Sequence, residues 1–233
     1  MAEPTKKEIV RVMFNDISPK YDFLNHFLSF GIDRTWRKKL VQLLGVRKPK
    51  TILDIATGTG DLAIAIASLN PQKIVGIDLS EKMLEIGRQK LIVKGLDELI
   101  TLSRADAEMI PFSDNSFEAI TVAFGVRNFE NLELGLREMR RVLRPGGVML
   151  ILEFSHPSSF PMKQLYAIYS RLFIPLMGRL ISGNTRAYSY LPESVAAFPS
   201  GKKFLNILES LGLKNTKLIK LSMGIASIYI SEK

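Results

Sequence analysis

The residues whose types and spacing could do chemistry begin at Leu53-Asp54-Ile55-Ala56-Thr57-Gly58-Thr59-Gly60. A β-rich run ends here in a glycine turn that opens a helical pattern, which lets a nucleotide approach the backbone closely. Gly58, Gly60 and Ala63 also fit the dinucleotide pattern GxGxxA, with Asp78 at the distance of a ribose-binding acid. A nicotinamide-dependent oxidoreductase is therefore one reading. Asp61 argues for another. It sits at the helix start where a pyrophosphate would lie, and a carboxylate there suits the helix dipole but repels a diphosphate. S-adenosylmethionine has no phosphate and carries a sulfonium and an ammonium, so it suits a mouth made anionic by Asp54, Asp61 and Asp78. Asp78 ends the second strand, where its carboxylate can accept both ribose hydroxyls. Asp106 either accepts the adenine amino proton, with Ala107 leaving room for the ring, or caps the next turn.

The elements that must position these residues follow from periodicity. Five short β-rich runs cover 51–55, 73–77, 100–103, 119–124 and 148–154, and helical patterns lie between them at 61–69, 80–93 and 132–143. This alternation predicts parallel βαβ units in one α/β doubly wound sheet with helices on both faces. Ahead of it, Ile9, Val10, Met13, Phe14 and Ile17 recur at helical spacing. Pro19 is expected to end that helix, with a second over 21–28 and a third over 34–44 closed by Gly45. The tail returns to the α/β pattern with a helix over 202–211, stopped by Gly212, and strands over 217–221 and 227–230. The expected organisation is a single domain: an N-terminal helical lid (1–48), a cofactor-binding core (49–156), an apolar and basic insertion (157–200) and a C-terminal part completing the sheet (201–233).

Composition narrows the chemistry. The 233 residues contain no cysteine and two histidines, His26 and His156, which excludes thiol nucleophiles, disulfide scaffolds and Cys-ligated metals and argues against a multi-His metal centre. The net charge of +9 is uneven: +6 over residues 1–50, −4 over 51–155 and +7 over 156–233. An acidic module flanked by basic segments suggests a polyanionic surface as partner, unless the lysines only confer solubility. With neither a signal peptide nor a long apolar run in view, a cytoplasmic protein is expected.

Several stretches resemble the UbiE/COQ5-type methyltransferases, the ring C-methylating enzymes of menaquinone and ubiquinone synthesis. They are Val12-Met13-Phe14, Tyr21-Asp22 with Asn25, and Leu28-Ser29-Phe30-Gly31 through Trp36-Arg37. The glycine loop follows, then Asp106-Ala107-Glu108 with Pro111-Phe112, and Phe124-Gly125-Val126-Arg127-Asn128. Leu143-Arg144-Pro145-Gly146-Gly147, Glu153-Phe154-Ser155 and Tyr190-Leu191-Pro192-Glu193-Ser194 complete the set. The Leu-Arg-Pro-Gly-Gly piece is generic to class I methyltransferases, whereas the N-terminal signature and Phe-Gly-Val-Arg-Asn are more specific. The resemblance covers residues 8–230. It implies a seven-stranded, mostly parallel class I sheet that binds S-adenosyl-L-methionine, with contacts on Thr59, Asp78, Asp106 and Ala107. Ala123 stands where a serine contact is frequent in the family, so no side-chain hydroxyl bond is expected there.

The acceptor the resemblance implies is a polyprenylated hydroquinone, demethylmenaquinol or a ubiquinone precursor. Lack of an Arg-rich presequence favours the former. Arg127 and Asn128 are then candidates for the hydroquinone oxygens, with Arg127 stabilising charge, and Tyr21 and Asp22 for closing over the site. The alternatives are that Arg127 pairs with Glu130 and that Tyr21 is core. Asp22, His156 or a water held by Arg127 is the candidate base. The aromatic stretch 160–181, interspersed with Lys163, Arg171 and Arg179, reads either as an interfacial segment on the anionic inner face of a membrane or as a buried helix capping the pocket. Homodimer formation is compatible with the sequence. Nucleic acid is not expected as a partner: cytosine C5 chemistry needs a cysteine, and the Asp/Asn-Pro-Pro-aromatic turn of amino methylation is missing after strand four.

Overall fold

The computed structural model describes residues 4–157, 160–169 and 185–233. Helix α1 (Lys6–Leu28) opens with a reciprocal cap in which the Thr5 hydroxyl accepts from the Glu8 N–H and the Glu8 carboxylate from the Thr5 N–H. The expected break at Pro19 does not occur. A proline leaves the carbonyl four residues earlier without its donor, and the buried Ser18 hydroxyl donates to that Asn15 carbonyl instead, at 3.0 Å. One residue upstream of the proline thus repairs the ladder, and the two expected helices are one. Helix α2 (Ile32–Gly45) ends at the expected glycine.

The sheet follows the predicted alternation: β1 (Thr51–Ile55), α3 (Asp61–Ile66), β2 (Lys73–Asp78), α4 (Glu81–Lys94), β3 (Ile100–Arg104), β4 (Phe117–Ala123), α5 (Leu132–Val142) and β5 (Leu143–Phe154). Beyond β5 come α6 (Met162–Ile168), α7 (Thr185–Ala197), α8 (Lys202–Ser210), β6 (Lys214–Leu221) and β7 (Ala226–Glu232). The order is β3-β2-β1-β4-β5-β7-β6, with β7 antiparallel to both neighbours and the other pairs parallel. Helix α7 was not foreseen, because Pro192 interrupts its apparent period. Leu172, Phe173, Ile174, Pro175, Arg171 and Arg179 of the aromatic stretch lie outside the described residues.

Both faces of the sheet are covered, which is why its strands read as continuous apolar runs. Alternate residues of a strand feed opposite layers. Leu53 and Ile55 pack with Leu136 and Met139 of α5 and Phe204 and Leu208 of α8. Ile52 packs with Trp36, Leu40 and Leu44 of α2 and with Leu62 and Ile66 of α3. The chain crosses from one half of the sheet to the other between β1 and β4, and the crevice beyond the strand ends at such a switch point is where ligands of open α/β sheets bind.

Candidate active site

Both strands at the switch point end in a non-glycine residue in the left-handed region, Ala56 (φ 52°) after β1 and Phe124 (φ 61°) after β4. For a phenylalanine this is a rare conformation, and such strain collects at functional sites. The two turns touch: a Cβ on Gly125 would stand 2.5 Å from that of Ala56, so only glycine fits there. The Phe124 conformation is held at its N–H by the Leu152 carbonyl (2.7 Å) and at its own carbonyl by the Arg127 guanidinium.

A cleft of about 80 Å³ lies over the ends of the first four strands, lined among others by Gly58, Asp78, Asp106, Ala107, Ala123 and Asn128. Asp78 accepts from the Gly58 N–H through Oδ2 and from the Ser80 N–H through Oδ1, both at 2.8 Å. A carboxylate has about four lone-pair sites, so Asp78 keeps acceptor capacity for a further donor. Burial pushes the Asp78 carboxyl up, against these backbone donors. Asp106 takes the capping role through Oδ1, accepting from the Glu108 N–H at 2.9 Å, while Oδ2 binds Lys7 of α1 at 2.6 Å. Lys6 donates to the Arg127 and Phe129 carbonyls at 3.1 and 2.6 Å, so the first turn of α1 is pinned across the cleft.

Two of the acids placed at the mouth from sequence, Asp54 and Asp61, lie elsewhere, and so does Asp22, expected to close over the site. Asp54, 1% exposed, is beneath the loop, accepting from the Thr57 and Thr121 hydroxyls at 2.7 Å. Burial raises its carboxyl to about 6. Asp61 is paired with Lys90, with His26 Nε2 at 3.7 Å, and does not line the cleft; its repulsion of a diphosphate is therefore largely cancelled. Asp22 accepts from the Thr59 hydroxyl (2.6 Å) and from Lys90 (2.9 Å). These bonds fasten α1 to the glycine loop, and neither Asp22 nor Thr59 lines the cleft. Gly60 caps α3 with φ 80°.

A second, apolar chamber of about 300 Å³ is enclosed by α1, α2, α6, α7 and the ends of β4 and β5. It shares Phe14, Tyr21 and Phe124 with the cleft, so the two cavities meet at these side chains. Tyr21 packs edge-on to Phe14 at 5.7 Å, and burial pushes its phenol up. Arg127 lines the chamber and pairs with Glu153, not Glu130, at 2.8 Å, with side-chain exposures of 7% and 0%. Its guanidinium lies 5.3 Å from the Phe154 ring centre, and Phe154 stacks on Phe124 at 4.4 Å. Arg127 Nε is buried and has no hydrogen-bond partner among the described residues. Asn128 belongs to the cleft and accepts from the Tyr190 hydroxyl at 3.1 Å. His156 is exposed and lines neither cavity. Glu153 was not among the expected site residues. Its signal was present, a lone acid within the apolar run 148–154, since an unpaired buried carboxylate is rare.

A methyltransferase family model, described as the ubiE/COQ5 methyltransferase family, matches residues 2–233. The chain belongs to this family. A relative from Bacteroides fragilis, named demethylmenaquinone methyltransferase, is 48% identical over 98% of this chain and 94% of its own. One from Geotalea daltonii, named ubiquinone/menaquinone biosynthesis C-methyltransferase UbiE, is 46% identical over 98% and 97%. Among solved structures, a SAM-dependent methyltransferase from Thermotoga maritima superposes with a TM-score of 0.64 at 19% identity, over 95% of this chain and 98% of that one, a likeness of fold. The expected family and the seven-stranded class I fold are both borne out.

Membership implies S-adenosylmethionine, and the cleft fits it. Its lining acids, Asp78, Asp106, Glu108 and Glu130, outnumber Lys7 and Arg11, and Lys7 is already paired. A cationic nucleoside without phosphate suits that set. With the Lys7 turn of α1 across it, the cleft is smaller than the ~300–1,000 Å³ of ligand pockets.

Proposed function

We propose that the protein methylates the ring of demethylmenaquinol, giving menaquinol, as the name of its 48%-identical relative suggests. The observation that carries this reading is the apolar chamber meeting the cofactor cleft at Phe14, Tyr21 and Phe124, with the buried Arg127 guanidinium in its wall. When bound, S-adenosylmethionine supplies a methyl group on a cationic sulfur. The chain's own residues must raise the acceptor's nucleophilicity. A neutral phenol, ionising near pH ~10, is a poor carbon nucleophile, whereas its phenolate places charge on the ortho carbon. Arg127 stabilises that oxyanion in a site of low dielectric. The Phe124–Phe154 stack offers a planar ring a flat wall, and alignment of carbon, methyl and sulfur is worth ~7–11 kcal/mol. Tyr21, Tyr166 and Tyr190 are kept neutral by burial and serve as hydrogen-bond donors.

A ubiquinone precursor is the second reading, favoured by the UbiE names of relatives at 44–46% identity. Presentation of a prenyl chain is served by the chamber's rim, where Phe30 is 71% and Leu165 55% exposed, with the exposed Ile168 one turn from Leu165 on α6. Among the described residues no helix is long and apolar enough to cross a membrane, so this rim supports peripheral contact. The test is calorimetry with S-adenosylmethionine and NADH in parallel, then methylation of demethylmenaquinol and of the ubiquinone precursor. Binding of the sulfonium alone and turnover of demethylmenaquinol are expected; binding of NADH alone would overturn the reading.

A further inference from the structure

The acceptor's hydroxyl has to lose its proton, and neither acid–base side chain proposed from sequence, Asp22 or His156, lines the chamber. Of the described residues that do, one is a carboxylate, Asp33 on the first turn of α2. Its side chain is 4% exposed to solvent. Oδ1 accepts from the Ser29 hydroxyl at 2.6 Å, and Oδ2 faces His26 Nδ1 at 2.8 Å and is paired with Arg37. Ser29 and Arg37 line the chamber too. The Arg37 guanidinium lies 5.6 Å from the ring centre of Phe124, a residue shared with the cofactor cleft, so the cluster adjoins the point of transfer. On its far side His26 is 23% exposed and faces Asp61, which Lys90 holds, giving the cluster an edge at the surface.

We propose that Asp33 is the general base that takes the ring hydroxyl proton, with Ser29 and His26 orienting it and Arg37, together with Arg127, receiving the phenolate. The proposal rests on the hydroquinone acceptor proposed above. The O–H bond breaks and its proton passes to the Asp33 carboxylate, directly or through the Ser29 hydroxyl, while the electron pair stays on the ring. Arg37 then exchanges one anion, the carboxylate, for another, the phenolate, so the buried charge stays balanced. The ortho carbon forms its bond to the methyl as the methyl–sulfur bond breaks, leaving its pair on sulfur. Asp33 returns its proton to the ring oxygen as the proton of the methylated carbon leaves to solvent. One proton is released per methyl transferred. Burial pushes the Asp33 carboxyl up, but Ser29, Arg37 and His26 outweigh it and hold it below the usual range, so it is ionised near neutrality; the driving force that so weak a base lacks comes from pairing the phenolate with the guanidinium groups.

The test is single-turnover methyl transfer by wild type and Asp33→Asn between about pH 5 and 9, on short-chain demethylmenaquinol and on an analogue whose hydroxyl a ring halogen makes more acidic. For a general base, Asp33→Asn is expected to slow the first acceptor ~10²–10⁴-fold. Its rate should climb with pH toward the hydroxyl's own ionisation, and the acidified acceptor should recover at least about tenfold of the loss. Arg127, Arg37 and the chamber tyrosines remain in the variant, so the altered profile reports on the missing carboxylate. Calorimetry should give an unchanged affinity for S-adenosylmethionine. Equal loss on both acceptors with an unaltered pH profile would overturn the proposal, leaving Asp33 as the anchor of Arg37. Should Asp33→Asn lose cofactor affinity, His26→Gln, which leaves the Asp33–Arg37 pair in place, is judged by the same recovery on the acidified acceptor. Wild type that binds the cofactor yet methylates neither hydroquinone would instead remove the acceptor reading itself.

Discussion

The cofactor cleft and the acceptor chamber meet at Phe14, Tyr21 and Phe124, yet they are built by opposite means. The cleft is made by the ends of adjacent strands, and its acid Asp78 is oriented by two backbone N–H groups, so sheet register alone places it. The chamber is walled mainly by helices. Its charges come as two buried guanidinium–carboxylate pairs, Arg127 with Glu153 and Arg37 with Asp33, one against each ring of the Phe124–Phe154 stack. A strand-end loop thus supplies a polar site almost as a by-product of the fold. A cation in an apolar chamber must bring its own counter-ion, and the pair is then the unit that has to be kept whole.

Arg127→Ala breaks this difference most severely. It strands Glu153, whose carboxyl burial already pushes up, and is expected to cost ~3–5 kcal/mol of stability together with ~10²–10³-fold in turnover. In Arg127→Ala/Glu153→Gln, thermal unfolding should show most of the stability restored while turnover stays low. Recovery of turnover would make Arg127 merely the partner of Glu153. Asp78→Ala probes the other side: losing an acceptor of two backbone donors, and of the ribose hydroxyls expected there, should weaken S-adenosylmethionine binding on the order of tenfold to a hundredfold, ~1.5–3 kcal/mol. Arg127→Ala should spare that affinity, and an equal loss in both variants would erase the division between cleft and chamber.

A pH series sharpens the same contrast beneath the glycine loop. Asp54, raised to about 6 by burial against its two threonine donors, lies above its unfolded value, so between roughly pH 4 and 6 the folded state binds more protons than the unfolded one. Wild type therefore loses stability as pH rises through that window, by up to ~3 kcal/mol for about two pH units. Urea unfolding of Asp54→Asn against wild type from pH 4 to 7 should show the variant gaining by that amount, and a flat difference would mean Asp54 is not strained. The smallest effect belongs to Lys7→Ala. Its half-buried pairs with Asp106 and Glu108 are worth less than ~1 kcal/mol, so freeing Asp106 should tighten the cofactor by at most about fivefold in calorimetry. Weaker binding would show that Lys7 assists the cofactor.

The legible part of the molecule was the part whose neighbours are set by period. Alternating strands and helices gave the sheet, the glycine turn and the positions of Asp78 and Asp106 at strand ends. Pro19 misled because its effect depends on Ser18 reaching the Asn15 carbonyl, a contact invisible to helix periodicity. Asp54 and Asp61 were assigned by nearness to the loop and Asp22 by the family resemblance, yet each turns to a partner supplied by another element: Thr121, Lys90, and Thr59 with Lys90 again. A strand or loop position is local, whereas the direction of a side chain depends on which opposite charge or hydroxyl the fold delivers to it.

By itself, the sequence determined the α/β architecture, the glycine turn and Asp78 at the strand ends, and the family, because periodicity, turn chemistry and motif spacing are properties of nearby residues. Only the tertiary structure decided which charges are spent holding the chain together and which face a ligand. Asp33 joins His26 within one stretch of chain, but its place in the chamber beside Phe124, and the pairing of Arg127 with Glu153 rather than Glu130, exist only once α1 and α2 close against the ends of β4 and β5. A buried charge cannot remain without a partner, so the packing that excludes water also assigns the roles.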